Sequence, residues 1–301
     1  MCTSLFLRNL RVLRLGIALL AVGLSLAPLT RAASWPALPD RILVAMHRAD
    51  WRQHPENSLP AIRSALVLGA DVIEIDVRRT KDGHFVLMHD GKLDRTTNGK
   101  GPVADFTLAE LKKLRLRDGL GSVTREPIPT LEEALAEVQG RALVNLDKAY
   151  EWPDEVFRVV EQAHAQNFAI FSIVQPLDEF EKRYPGLLSR IRFMVVAGGK
   201  GRDANAVISA YLERQRPEIL QLLFAQDNDP ILGWIEKARA AGVRIWINSL
   251  WSNLSGGHDD DRALTDPAGA YGWLLDRGAT AIQTDRPREL MRYLEKAGLR
   301  R

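Results

Sequence analysis

From residue 42 to the end of the chain, short apolar runs rich in Val and Ile alternate with longer stretches whose apolar residues recur at helical spacing. The short runs predict strands near 42–47, 72–78, 142–147, 168–174, 191–196, 219–225, 243–248 and 280–284. The amphipathic stretches predict helices near 58–68, 130–139, 154–166, 177–188, 203–215, 230–241, 266–277 and 287–297. Strand–helix alternation of this kind is the pattern of a parallel sheet wrapped by helices. Eight such pairs in about 260 residues match the size and rhythm of a (β/α)8 barrel, an α/β fold.

Turn chemistry supports the boundaries. Gly69, Gly140, Gly242 and Gly278 each follow a helical pattern and precede a strand, where a left-handed cap is wanted. Thr130 with Glu133 predicts a capping box at the start of the second helix. One unit is irregular: about fifty residues separate the second strand from its helix, and they contain an apolar run of their own, Phe85-Val86-Leu87-Met88. A stretch that long predicts a small insertion, about 85–128, rather than a plain loop. No Ser-, Pro- or Gly-rich linker divides the chain, so residues 40–301 are expected to form one domain.

The first 32 residues follow another rule. Arg8, Arg11 and Arg14 lead into an apolar run from Leu15 to Leu26, and Thr30-Arg31-Ala32 offers small residues at a cleavage site. This is the pattern of a signal peptide for export to the periplasm or the medium, and the apolar run falls short of the ~20 residues needed to span a bilayer. No stable membrane anchor is therefore expected after cleavage. The leader carries four arginines and no acid, so 41 basic against 38 acidic residues become 37 against 38, and the net charge moves from +3 to −1. The mature chain has no electrostatic footprint for nucleic acid. It also has no cysteine, since Cys2 is the only one in the sequence.

The candidate chemistry sits at the predicted strand ends, which in such a barrel form the active face. His47 and Arg48 end the first strand, Glu74 and Asp76 lie toward the end of the second, Asp147 and Lys148 end the third, and His89 follows the extra apolar run. Glu74 and Asp76 are two apart on a strand, so they share a face. Flanked by Val72, Ile73, Ile75 and Val77, two like charges would repel unless a cation sat between them. With Asp147 as a third oxygen donor, the set suits Ca²⁺ or Mg²⁺. His47 and His89 suit general acid and base. Arg48 offers a planar fork to a phosphate, and Lys148 a point charge to the same group. These parts suit a small-molecule phosphodiester as substrate. His54, His84 and His164 fall in a loop, a turn and a helix, and are poorer candidates.

In order and spacing, HR with PENS, EIDV, HDGKLDRTTNGKG, IPTLEEAL, VNLDK and GATAIQTDRP resemble the glycerophosphodiester phosphodiesterases over nearly all of the mature chain. The resemblance implies a TIM-type barrel with a small insertion after strand two and a divalent cation on carboxylates. It also implies two histidines acting as acid and base while a glycerophosphodiester is cut to glycerol 3-phosphate and an alcohol. By position, Glu74 and Asp76 match the paired metal ligands, His47 and His89 the histidines, and Arg48 the phosphate-binding arginine. In the implied mechanism a glycerol hydroxyl attacks phosphorus and water then opens the cyclic phosphate.

The chain departs from the family pattern in three places. Asp147 directly followed by Lys148 stands where a glutamate and, two residues on, a lysine are usual; Ala49 replaces a glycine; and Ile247-Asn248 replaces Thr-Val after Trp246. Trp246 reads either as an apolar wall for the glycerol or as barrel core. The segment from Trp251 through His258 to Asp261 is expected over the mouth, as a contact for the alcohol or a second cation, or as a solvated acidic loop. Two other functions compete: a lysophospholipase D or phospholipase C type of activity on lipid, and a non-catalytic solute-binding barrel.

Overall fold

Nine strands form in the computed structural model, which describes residues 35–199 and 203–300; the expected leader, residues 1–32, lies outside them. They are β1 Leu43–Met46, β2 Val72–Arg79, β3 Phe85–Leu87, β4 Leu143–Asp147, β5 Ala169–Ile173, β6 Arg192–Gly198, β7 Ile219–Leu223, β8 Arg244–Asn248 and β9 Ala281–Thr284. All but β3 pair in parallel, in the order β1-β9-β8-β7-β6-β5-β4-β2, and a β1–β2 pairing closes the ring. The eight barrel strands fall on the eight predicted runs. Among the described residues, no helix is long and apolar enough to cross a membrane.

Strand periodicity sorts the side chains into layers. Outward residues such as Ile73, Ile75, Val144, Leu146, Phe171 and Ile173 pack against the helices in the main core. Inward residues form a lower apolar plug of Leu43, Ala45, Val72, Ile170, Met194, Ile219, Trp246 and Ala281. Two residues further along, the inward layer turns polar on most strands, β6 keeping Val196: Glu74, Asn145, Ser172, Gln221, Asn248 and Gln283 line an open cleft. A period of two thus makes the barrel interior a dry floor under a polar mouth. Trp246 belongs to the floor. It is fully buried and donates Nε1–H to Asn248 Oδ1 at 2.8 Å, so the reading of it as a glycerol wall is corrected: Asn248, one layer up, reaches the cleft.

The insertion begins where β3 turns back antiparallel on β2, pairing Val77 with Leu87. Val86, Met88, Leu93, Val103, Leu111, Leu116 and Ile128 give it a small core of its own, and helix Leu108–Leu111 starts on a capping box at Thr107. The capping box at Thr130 is present too. The helix predicted over 266–277 divides into a π-helical turn, Ala268–Gly272, and a short α-helix, Trp273–Asp276. Gly269 and Gly272 lie in that turn, where regular α winding is weakly favoured.

Candidate active site

Parallel pairing of β2 with β4 sets Glu74 opposite Asn145 and Asp76 opposite Asp147. One oxygen from each of Glu74, Asp76 and Asp147 comes within 4.8 Å of the others, which makes the trio able to hold a metal ion. The donor set fits a hard cation, being all oxygen with no sulfur. The electrostatics fit as well. Burial and the neighbouring Asp76 push the Glu74 carboxyl up to about 8, so it resists carrying a charge unless a cation joins it. Burial also works against the Asp76 carboxylate, but Lys148, His89 and Arg48 overcome this and hold its pKa down at about 2.

The loop after β1 explains the PENS segment residue by residue. Glu56 accepts from Arg48 Nη1 at 3.2 Å and from Arg95 Nη1 at 2.7 Å. Asn57, in the left-handed region at φ 57, clamps Asp76 by donating Nδ2–H to Oδ2 at 2.8 Å and accepting from the Asp76 amide at 3.0 Å. Asparagine tolerates that conformation better than most residues. Ser58 caps helix Leu59–Leu68 by accepting from the Ala61 amide. Asn57→Ala is therefore expected to lower metal affinity about 10–100-fold, the usual cost of losing a group that orients a ligand, with titration calorimetry as the check.

Arg48 and Ala49 are both left-handed, at φ 49 and φ 65. This turns the Arg48 amide onto Glu74 Oε2 at 2.8 Å. Alanine at a left-handed position carries roughly 1–2 kcal/mol of strain, which accounts for glycine as the usual residue there. The Arg48 Nε is buried and makes no hydrogen bond; Asp76 Oδ2 lies 3.6 Å from it, so the guanidinium sits against the carboxylates at the edge of the cleft.

His47 donates Nδ1–H to Asp285 Oδ1 at 2.7 Å, and Trp51 Nε1 donates to the same oxygen at 2.6 Å. That fixes the imidazole with Nε2 as the atom left for chemistry. Burial lowers the His47 pKa, but Asp285 and Glu74 outweigh it and the net shift is upward. His89 donates to Asp90 Oδ1 at 2.7 Å, and Asp90 is held in turn by Arg95. Burial dominates at His89 and lowers its pKa.

Lys148 is placed by its own backbone angle. An extended residue after Asp147 would point away from the cleft, but Lys148 sits at φ 63 and its chain turns back inward. Its ammonium pairs with Asp76 and, at 2.9 Å, with Asp147 Oδ2. It is buried among the carboxylates and balances their charge.

Trp251 lines the cleft, and beyond it most of the 258–261 segment is not solvated, Asp261 alone being exposed, where it accepts from Arg286 Nη2 at 2.8 Å. His258, Asp259 and Asp260 are buried, and His258 stacks on Trp273 with ring centroids 3.7 Å apart. Asp260 Oδ1 accepts from Ser249, Tyr271 and Thr284 hydroxyls at 2.7, 2.9 and 2.7 Å, and Oδ2 accepts from the Asp285 amide at 2.7 Å. Burial pushes its carboxyl up to about 6 in spite of these donors. Asp260→Ala would leave the Tyr271 and Thr284 hydroxyls and the Asp285 amide without this acceptor, Ser249 keeping Gln283 O at 3.0 Å, and a loss of about 3 kcal/mol or more of stability is expected by urea denaturation.

The cleft brings together six of the eight candidate side chains, His47, Arg48, Glu74, Asp76, His89 and Asp147, and leaves Lys148 and Trp246 behind its walls. Sequence reasoning missed the roles of Asn57 and Asp285. The left-handed Asn before a helix N-cap and the Thr-Asp closing β9 were the available signals.

The model of the glycerophosphoryl diester phosphodiesterase family matches residues 47–192, and that of a domain of unknown function matches residues 193–294. A glycerophosphodiester phosphodiesterase of Caldanaerobacter subterraneus subsp. tengcongensis is 48% identical over 109 residues, which are 36% of this chain and 45% of that one. One of Bacillus subtilis is 39% identical over 142 residues, 43% and 48% of the two chains. The matched stretch of this chain thus spans about half the length of these curated relatives. Among solved structures, a glycerophosphoryl diester phosphodiesterase of Parabacteroides distasonis superposes with a TM-score of 0.71 at 26% identity, over 87% of this chain and 90% of that one. A glycerophosphodiester phosphodiesterase of Agrobacterium tumefaciens gives 0.61 at 26% identity, over 82% and 98%. The matched segment holds every carboxylate and histidine of the cleft, so residues 47–192 carry the match to the glycerophosphoryl diester phosphodiesterase family, and the barrel around them is shared with its solved structures.

Proposed function

We propose that the protein is an exported phosphodiesterase that uses Ca²⁺ or Mg²⁺ to cut glycerophosphodiesters into glycerol 3-phosphate and an alcohol. The observation that carries this reading is the carboxylate trio sharing one cleft with His47, His89 and Arg48. The names of the similar proteins support the substrate class. When bound, a divalent cation on Glu74, Asp76 and Asp147 would offset charge on the phosphoryl oxygens. Arg48 holds the phosphate. A glycerol hydroxyl bonds to phosphorus and gives its proton to one imidazole, while the other imidazole protonates the departing alkoxide. Water then opens the cyclic phosphate by the reverse proton path. The two histidines are shifted in opposite directions, as an acid and base pair requires.

The test is turnover of glycerophosphodiesters with EDTA and with each cation restored. Absence of metal-dependent cleavage of any phosphodiester would sink the reading. Export rests on the leader of residues 1–32, and N-terminal sequencing of protein recovered outside the cytoplasm checks it. A lipid-directed activity is favoured by one observation, Leu120 and Trp251 exposed at 94% and 49% near the mouth, so a lysophospholipid belongs in the same panel.

A further inference from the structure

Two cavities meet at His47, Arg48 and Trp251. The inner one, about 210 Å³, is lined by the polar layer above the dry barrel floor and contains the carboxylates. The outer one, about 360 Å³, runs between the insertion and the loop after β1, and Trp51, Glu56, Arg95, Arg117 and Asp118 help to line it. A phosphodiester has two arms joined by one phosphate. With the phosphate at the junction on Arg48, one arm enters the inner cleft and the other must lie in the outer groove.

The chemistry of the outer groove is specific. Arg95 is spent on Glu56 and Asp90, and Asp118 Oδ1 accepts from the Leu120 and Ser122 amides at 3.0 and 2.9 Å. Arg117 is different. Its Nε donates to Thr97 O and its Nη1 to Gly121 O, both at 2.8 Å, and among the described residues no carboxylate lies within ion-pair distance. Two carbonyls therefore hold the guanidinium rigidly while its remaining N–H groups stay available. Trp51 is fixed through its bond to Asp285, and Trp251 stands edge-on to His47 with centroids 5.7 Å apart. Fixed aromatic rings beside a preorganised fork of donors suit a molecule with hydroxyl oxygens and a C–H face. Arg48 and Arg95 are neutralised by Glu56, Asp76 and Asp90, whereas Arg117 has no carboxylate within ion-pair distance among the described residues, and its charge disfavours a cationic one.

We propose that this groove is the subsite for the leaving alcohol and takes a polyhydroxy alcohol in preference to a quaternary ammonium alcohol, with Arg117 as the specificity-determining residue. The proposal rests on the phosphodiesterase reading. Its test compares kcat/KM for glycerophosphoinositol and glycerophosphocholine in the wild type, Arg117→Ala and Arg117→Lys, with a thermal melt to check folding. The wild type is expected to prefer the inositol ester by about tenfold or more, because hydroxyls satisfy donors that a trimethylammonium group leaves unpaired. Arg117→Ala reduces that ratio mainly by raising KM for the inositol ester, and Arg117→Lys restores part of it. Equal or reversed preference in the wild type overturns the proposal, as does a ratio unchanged in a folded Arg117→Ala. Cleavage without discrimination thus removes the subsite alone, whereas cleavage of neither ester removes the phosphodiesterase reading and the subsite with it.

Discussion

Glu74→Gln is expected to lower glycerophosphodiester turnover by roughly 10³-fold or more, the scale on which one electrostatic stabiliser of a transition state acts. The substitution suits the question because it keeps the shape. Glutamine Oε1 can still accept from the Arg48 amide, which Glu74 Oε2 now does at 2.8 Å, so the left-handed turn at Arg48 and Ala49 should survive. What it removes is a charge from a trio whose oxygens lie within 4.8 Å. Metal titration and steady-state kinetics on the same preparation decide the matter. A variant that binds the cation as tightly as the wild type and turns over normally would show that Glu74 is not a ligand.

His47→Ala comes second, with an expected loss of about 10²–10⁴-fold, the usual contribution of a positioned acid or base. A solute-binding barrel would show no turnover to lose and would keep its ligand affinity. Asp285→Asn refines the test. Asp285 helps to raise the His47 pKa, so removing its charge lowers that pKa, and the limb of the pH–rate profile that His47 controls moves to lower pH. The direction holds whether His47 gives or takes the proton. A profile that stays in place while activity falls would mean that Asp285 only fixes the ring.

The part of the site that could be read from the sequence is the part written in strand periodicity. Glu74 and Asp76 share a face because they are two apart in an apolar strand, and the same rule brings Asp147 beside Asp76 once β2 and β4 pair. The rule also carries the error at Trp246. Period two says that Trp246 and Asn248 both point inward but not which layer meets solvent, and closure of the ring puts Trp246 in the dry plug. Lys148 escaped for a different reason: its direction depends on one left-handed φ, which composition and spacing do not encode.

Partnerships between distant segments were out of reach altogether. Asp285 joins His47 across 238 positions, and Asp260 joins the Asp285 amide across 25, because β9 lies between β1 and β8 in the closed barrel. The 258–261 segment looked solvated for the same reason, since Asp260 is matched by hydroxyls from Ser249, Tyr271 and Thr284 that only folding brings near. The sequence by itself determined the barrel, the insertion and the identity of the carboxylates and histidines, because strand and helix periods and strand-end placement are local properties of the chain. The tertiary structure decided which side chains reach the cleft, which are consumed in holding others, and where the outer groove with Arg117 lies. Those outcomes depend on ring closure and on single backbone angles, neither of which a local pattern contains.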